Sequence, residues 1–325
     1  MGKKKSKGEY NDFLDGEKLR DNTEIRTTLQ GFASRDIPSP SVQKDQKDSK
    51  KPGKGGAKKP QLTHFLCLPL VTDSSRPQLQ QRLENFKEEL SKDGPVPTKA
   101  VRLVGTLHLT LGVMSLSPQQ LSSAQEYLLD LDLHTLLRDI THLRVAEAAA
   151  ESGEIAENLN AAAMPDTDAL TVNLESLVPM QAPHKTSILY AEPRDVSQRL
   201  YPFAEALRER FTEMGLLVED TRPLRLHATV LNTIYAKPKG RGGRGRTESS
   251  RPIGEGHGPD GKSWMRFDAR NLIEKYKGFV WAEGVRVDRV CICKMGAKKI
   301  WSGGAEGQGE VVDERYEVVC EKEIF

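Results

Sequence analysis

Apolar residues first recur with a regular period near Leu62. Residues 63–70 form a nearly continuous apolar run stopped by Thr72, Asp73 and Ser74, which predicts a buried strand. Leu79, Leu83, Phe86 and Leu90 then share one face of a predicted helix, and Asp93, Gly94 and Pro95 end it. A strand is predicted over 106–113. It is followed by a helix with Ser117 as N-cap and Pro118 at its first position, running through Leu121 and Leu128. Residues 141–148 read as a further strand.

The pattern resumes with strands over 169–178 and 186–191. A helix capped by Asp195 or Ser197 presents Leu200, Phe203, Leu207 and Phe211 on one face and stops at Gly215. Next come a strand over 224–233, a short helix over 268–277 capped by Asp268 and closed by Gly278, and strands over 279–282, 285–294 and 316–320. Each half of the chain therefore offers strands, a helix and a strand bearing a histidine. That order predicts two α+β lobes, although no repeat recurs at a fixed period.

Three stretches lack such periodicity, and composition explains why. Residues 1–60 carry 15 Lys and Arg against 9 Asp and Glu, with the run Lys51, Pro52, Gly53, Lys54, Gly55, Gly56, and are expected to be a disordered basic arm. The stretch 151–168, rich in Ala, Glu, Asn and Gly, and the stretch 237–263, containing the Arg/Gly run 239–246, are expected to be flexible insertions in a domain spanning 61–325. Without the arm the chain holds 33 basic and 37 acidic side chains, so a generally basic nucleic-acid-binding body is not expected. No apolar run approaches the roughly 18–20 residues that cross a bilayer, and no apolar segment follows the basic start, so a soluble protein of the nucleus or cytoplasm is expected. Cys67, Cys291, Cys293 and Cys320 all lie in strand-like apolar runs and read as buried free thiols. His64, His134, His142, His184 and His257 show no metal-ligand spacing.

The chemistry concentrates in two segments, Leu107, His108, Leu109, Thr110, Leu111 and Leu226, His227, Ala228, Thr229, Val230. In an extended strand alternate residues share a face, so each segment shows one imidazole and one hydroxyl together while its apolar residues enter a core. Two such strands across a cleft would set two groups of ordinary pKa near 6.5 on either side of a phosphate. One histidine would deprotonate the attacking hydroxyl and the other would protonate the leaving oxygen. Thr110 and Thr229 would donate to the non-bridging oxygens, and Arg225, on the same face as His227, adds a positive charge or lies solvated at the strand end. The scheme requires neither a metal ion nor a cofactor.

His108, Leu109, Thr110, Leu111 and the run His227 through Thr233 resemble the paired H-x-T-x signatures of the 2H phosphoesterase superfamily. With Ile188, Leu189, Tyr190 and Ala191 they are most similar to its A-kinase-anchor-protein-type domain, over roughly 62–325. The resemblance implies a bilobed α+β fold with pseudo-twofold symmetry, its cleft lying between two antiparallel sheets flanked by helices. It also implies His108 and His227 as the catalytic pair, Thr110 and Thr229 as phosphate holders, and RNA ends, 2′,5′-linked oligonucleotides or cyclic phosphates as substrates. Gly53 to Gly56 spells a nominal G-x-x-G without apolar elements around it, and reads as linker rather than as an RNA-binding KH loop. Two functions stay open. One is a phosphodiesterase acting on RNA or an oligonucleotide. The other is an RNA- or nucleotide-binding adaptor within a coactivator or repair complex; outside such a complex a monomer is expected.

Overall fold

The computed structural model describes residues 61–152, 170–236, 265–305 and 309–324. The basic arm 1–60, nearly all of the stretch 151–168 and the Arg/Gly segment within 237–264 lie outside the described residues. In chain order the main elements are β1 (His64–Pro69), α1 (Ser75–Asp93), β2 (His108–Met114), α2 (Pro118–Asp130), α3 (Leu133–Ser152), β3 (Leu170–Pro179), β4 (Ile188–Arg194), α4 (Leu200–Glu213), β5 (Ala228–Asn232), α5 (Arg270–Lys275), β6 (Val280–Val287), β7 (Arg289–Lys294), β8 (Lys298–Trp301), β9 (Val311–Arg315) and β10 (Val318–Glu323).

Two four-stranded sheets, ordered β10-β7-β1-β2 and β5-β4-β3-β6, carry the α+β architecture. Every pairing in them is antiparallel. A two-stranded hairpin, β8-β9, stands beside them. In each sheet the strand that follows or begins with the histidine, β2 in one and β5 in the other, sits at the edge and pairs with the strand before it in the chain, β1 or β4. The chain passes between sheets at Asp288, the single residue between β6 and β7. The strand expected over 285–294 is therefore two strands, and the carbonyl of Asp288 accepts the amide of Ile324 rather than joining a ladder.

One continuous core joins the lobes. The face Leu79, Leu83, Phe86 and Leu90 of α1 is buried, as its spacing requires. Helix α2 begins with the capping box its sequence announces: Ser117 Oγ accepts from the Gln120 amide and Gln120 Oε1 accepts from the Ser117 amide. For α4, Asp195 gathers the amides of Ser197, Arg199 and Leu200, and Gly215 at φ 66° closes the helix in the left-handed conformation that glycine adopts without a Cβ clash.

Residues 141–148 are helical, not a strand. Leu133, Leu136, Leu137 and Ile140 are buried at helical spacing, so α3 is already under way when the apparent alternation begins. The alternation misleads because Leu143 is exposed. The expected strand over 224–233 narrows to β5, and that over 316–320 shifts to β10. Three of the four cysteines are buried as expected, whereas Cys320 is half-buried; all are free thiols.

Candidate active site

The segment just before β2 joins β5 and so brings the two histidine strands to one place. Arg102, shortly before β2, donates its amide to the carbonyl of Val230 at 2.8 Å, and Val101 bridges Leu231. His108, Thr110, His227 and Thr229 all line the cavity of about 130 Å³ left at this junction, and Arg225 lies on its wall. All five residues expected from the sequence thus border one space. Leu109, Ala228 and Val230 are buried away from the cavity, and Leu111 is buried at its border; this burial fixes the polar face toward the cavity.

Both imidazoles are held in the same manner. His108 Nδ1 lies 2.8 Å from the carbonyl oxygen of Thr106, and His227 Nδ1 lies 2.7 Å from that of Arg225, each two residues upstream. A carbonyl oxygen only accepts, so Nδ1 carries the proton in each ring and Nε2 is the nitrogen whose protonation changes. This local bond needs the residues ahead of each histidine to leave the ladder. Ahead of His108 the chain makes a 3-10 turn, Val104–Thr106, and ahead of β5 it is irregular around Pro223, which has no amide to donate.

The surroundings of the two rings differ. His108 is flanked by Phe65 at 4.9 Å and by Tyr316, edge-on, at 5.2 Å between ring centroids, whereas His227 meets Tyr190 at 5.5 Å. Burial pulls the His108 imidazole down to about 4; the Thr106 carbonyl opposes this shift, and the charges of Arg102 and His227 add to it. His108 is therefore neutral at pH 7. Arg225 stands over the Tyr190 ring at 5.4 Å, so it is tied to the same cluster as His227 rather than solvated at a strand end.

The hydroxyls of Thr110 and Thr229 make no hydrogen bond among the described residues, although both are only half-exposed. They are thus uncommitted donors facing the cavity. Gly112, the next residue on the cavity face of β2, packs directly against Leu217: a Cβ there would come within 2.7 Å of Leu217 Cδ1, so the leucine would have to shift. That close approach lets the segment after α4 lie over the β2 edge, where the Val218 amide donates to the Val113 carbonyl at 2.8 Å.

Residues that the sequence did not single out support this arrangement. Asp313 of β9 accepts the Gly105 amide on Oδ1 and the Arg76 guanidinium on Oδ2, both at 2.9 Å, pinning the turn that presents the Thr106 carbonyl. A Cβ on Gly105 would come within 2.4 Å of the Glu314 carbonyl oxygen, so the hairpin seats only on glycine. Arg102, buried and lining the cavity, pairs with Glu314 at 3.7 Å, donates to Tyr316 Oη at 3.5 Å and lies 4.0 Å above the Tyr235 ring. One charged residue inside the apolar run 100–104 was the only sequence signal for it. Asn232, buried at the end of β5, also borders the cavity.

Among the described residues no three His, Cys, Asp or Glu side chains gather to hold a metal ion, and no helix is long and apolar enough to cross a membrane. Cys67 and Cys293 touch at 3.8 Å in a small cluster with Phe65 and Cys291, with no second pair of ligands beside them.

Residues 62–303 match the family model of the AKAP7 2'5' RNA ligase-like domain. Among curated proteins, mouse Activating signal cointegrator 1 complex subunit 1 is 27% identical over 228 residues, covering 67% of this chain and 54% of that protein. An uncharacterized protein of Schizosaccharomyces pombe is 34% identical over 117 residues, covering 36% of this chain and 44% of the other. The chain thus spans about half the length of the curated relatives it matches. Among solved structures, E. coli LigT complexed with 3'-AMP aligns over 81% of this chain and 97% of its own at 14% identity and a TM-score of 0.38, and a structure described as a phosphoesterase aligns over 82% and 98% at 15% and 0.38. With the family model covering most of the chain and both H-x-T strands inside its bounds, this protein belongs to the AKAP7 2'5' RNA ligase-like domain family of the 2H phosphoesterase superfamily.

Proposed function

We propose that this chain is a metal-independent phosphodiesterase acting on RNA ends or oligonucleotides, with His108 as general base and His227 as general acid. The observation that carries the reading is the matched pair of Nδ1-anchored imidazoles beside two uncommitted threonine hydroxyls in one cavity. The division of labour follows from charge. A base must be unprotonated before reaction, and burial keeps His108 so at neutral pH.

In the proposed reaction His108 Nε2 takes the proton of the attacking hydroxyl or water as its oxygen bonds to phosphorus. His227 Nε2–H delivers a proton to the leaving oxygen as the other P–O bond breaks. Thr110 and Thr229 donate to the non-bridging oxygens throughout, and Arg225 contributes positive charge on the His227 side. A 2′,3′-cyclic phosphate would open by attack of water. A 2′,5′ linkage would be cleaved by attack of its neighbouring 3′-hydroxyl.

Product analysis in EDTA tests this, using wild type and the His108→Ala/His227→Ala variant on RNAs ending in 2′,3′-cyclic phosphate or 3′-hydroxyl and on 2′,5′-linked oligoadenylate. Turnover by wild type alone is expected. Binding without turnover of any of them would leave the adaptor reading, favoured by the relative that is named as a complex subunit. The same proposal places the protein in the nucleus or cytoplasm, in company with RNA.

A further inference from the structure

Beyond the cavity, on the other side of Arg102, runs an open groove of about 1690 Å³. Its floor is apolar, with Leu90, Val96 and Val101 buried beneath it. Its walls carry Lys87 from α1, Lys99 from the turn Thr98–Ala100 and Lys299 from β8. Three separate elements therefore bring a lysine to one space, which no run of lysines in the sequence announces. All three side chains are exposed and form no ion pair among the described residues; Lys299 rests 5.9 Å from the Trp301 ring. The acidic residue of the lining, Glu314, is already engaged by Arg102. Such a patch stands out on a body whose residues 61–325 hold more acidic than basic side chains.

Two further features specify what fits. Tyr235 lines the groove with its ring held by the Arg102 guanidinium at 4.0 Å, a fixed aromatic surface of the kind on which an unpaired base stacks. Arg102 itself borders both the groove and the histidine cavity, so the two spaces are neighbours across one side chain. We infer that the groove between α1 and the β8–β9 hairpin is an extended binding track for single-stranded RNA, holding the nucleotides beyond the one processed at the histidines. Lys87, Lys99 and Lys299 meet the backbone phosphates, and the apolar floor and Tyr235 receive bases. The inference rests on the phosphodiesterase reading for its direction, but binding is measured independently of turnover.

The test compares the full chain with its Lys87→Glu/Lys99→Glu/Lys299→Glu variant, using a dinucleotide and a ten-nucleotide single strand of the same terminal linkage. Charge reversal at exposed positions leaves the core intact, which thermal unfolding verifies. By fluorescence anisotropy the ten-mer is expected to lose about tenfold or more in affinity, and its log–log salt slope to become shallower by about 2, while the dinucleotide is unaffected. If wild type turns both substrates over, the loss should appear in KM for the ten-mer alone. Equal affinity of the two proteins for the ten-mer, an equal loss for both lengths, or equally tight groove binding of a poly-glutamate peptide would each overturn the inference. Length-dependent binding without turnover of either substrate would instead remove the phosphodiesterase reading and keep the track.

Discussion

The two histidine strands invite comparison because their local geometry is nearly the same and their surroundings are not. Each ring is anchored by its own chain two residues upstream, and each is followed by a threonine on the same face. Yet His108 sits between two aromatic rings with a buried arginine close by, whereas His227 leans on one tyrosine. The repeated part sets where the ring nitrogens point. The part that is not repeated lowers the proton affinity of His108, and on the proposed reading that is what suits this ring to the role of base.

The strongest way to break this comparison is to remove one ring at a time. His108→Ala and His227→Ala should each lower kcat by roughly 10²–10⁴-fold on the substrate that wild type turns over. The losses should fail to add in the double variant, since either ring is useless without the other. Activity left intact by one substitution would dissolve the pairing. A smaller effect is expected of the hydroxyls: Thr110→Val and Thr229→Val should each reduce kcat/KM by about tenfold to a hundredfold, and similarly, because both face the cavity uncommitted.

Acid sharpens the asymmetry without any substitution in the lobes' shared features. The folded chain holds His108 at about 4 where the unfolded chain has 6.5, so between those values the unfolded state binds the extra proton. Stability is therefore full above pH 6.5 and falls as pH drops toward 4, by about 2–3 kcal/mol from this residue. Urea unfolding at pH 7 and 4.5 should show the fall in wild type and a smaller one in His108→Ala; the remainder includes His64, which burial also shifts downward. The smallest expected effect concerns Arg102. Its charge lowers His108, so Arg102→Gln should move the acidic limb of the pH–rate profile upward by less than about one unit, and Arg102→Lys should restore it. An unmoved limb would mean that burial alone sets the proton affinity.

Much of this site was legible because strands alternate. Leu109, Leu111, Ala228 and Val230 had to be buried, and that alone turned His108, Thr110, His227 and Thr229 to one side. Meeting of the two histidine segments was not legible, since it depends on backbone bonds such as Arg102 to Val230 across more than a hundred residues. The β8–β9 hairpin escaped notice because Lys298, Lys299 and Ile300 are exposed and β9 buries only the polar Asp313, so neither strand shows an apolar alternation. Residues 141–148 failed for the opposite reason: a local alternation was real in the sequence, but the helix begun at Leu133 governed it.

The crossing at Asp288 also orders events in time. Strand β1 lies between β2, which the ribosome makes soon after it, and β7, which it makes more than two hundred residues later. Until then the growing chain carries β1 with one open edge, a surface that chaperones would shield and that neighbouring nascent chains could join. Tyr316, Glu314 and Asp313 arrive later still, so the ring, ion pair and clamp around His108 close only near the end of synthesis. A half-made chain therefore carries His108 without the surroundings that lower its proton affinity in the finished fold.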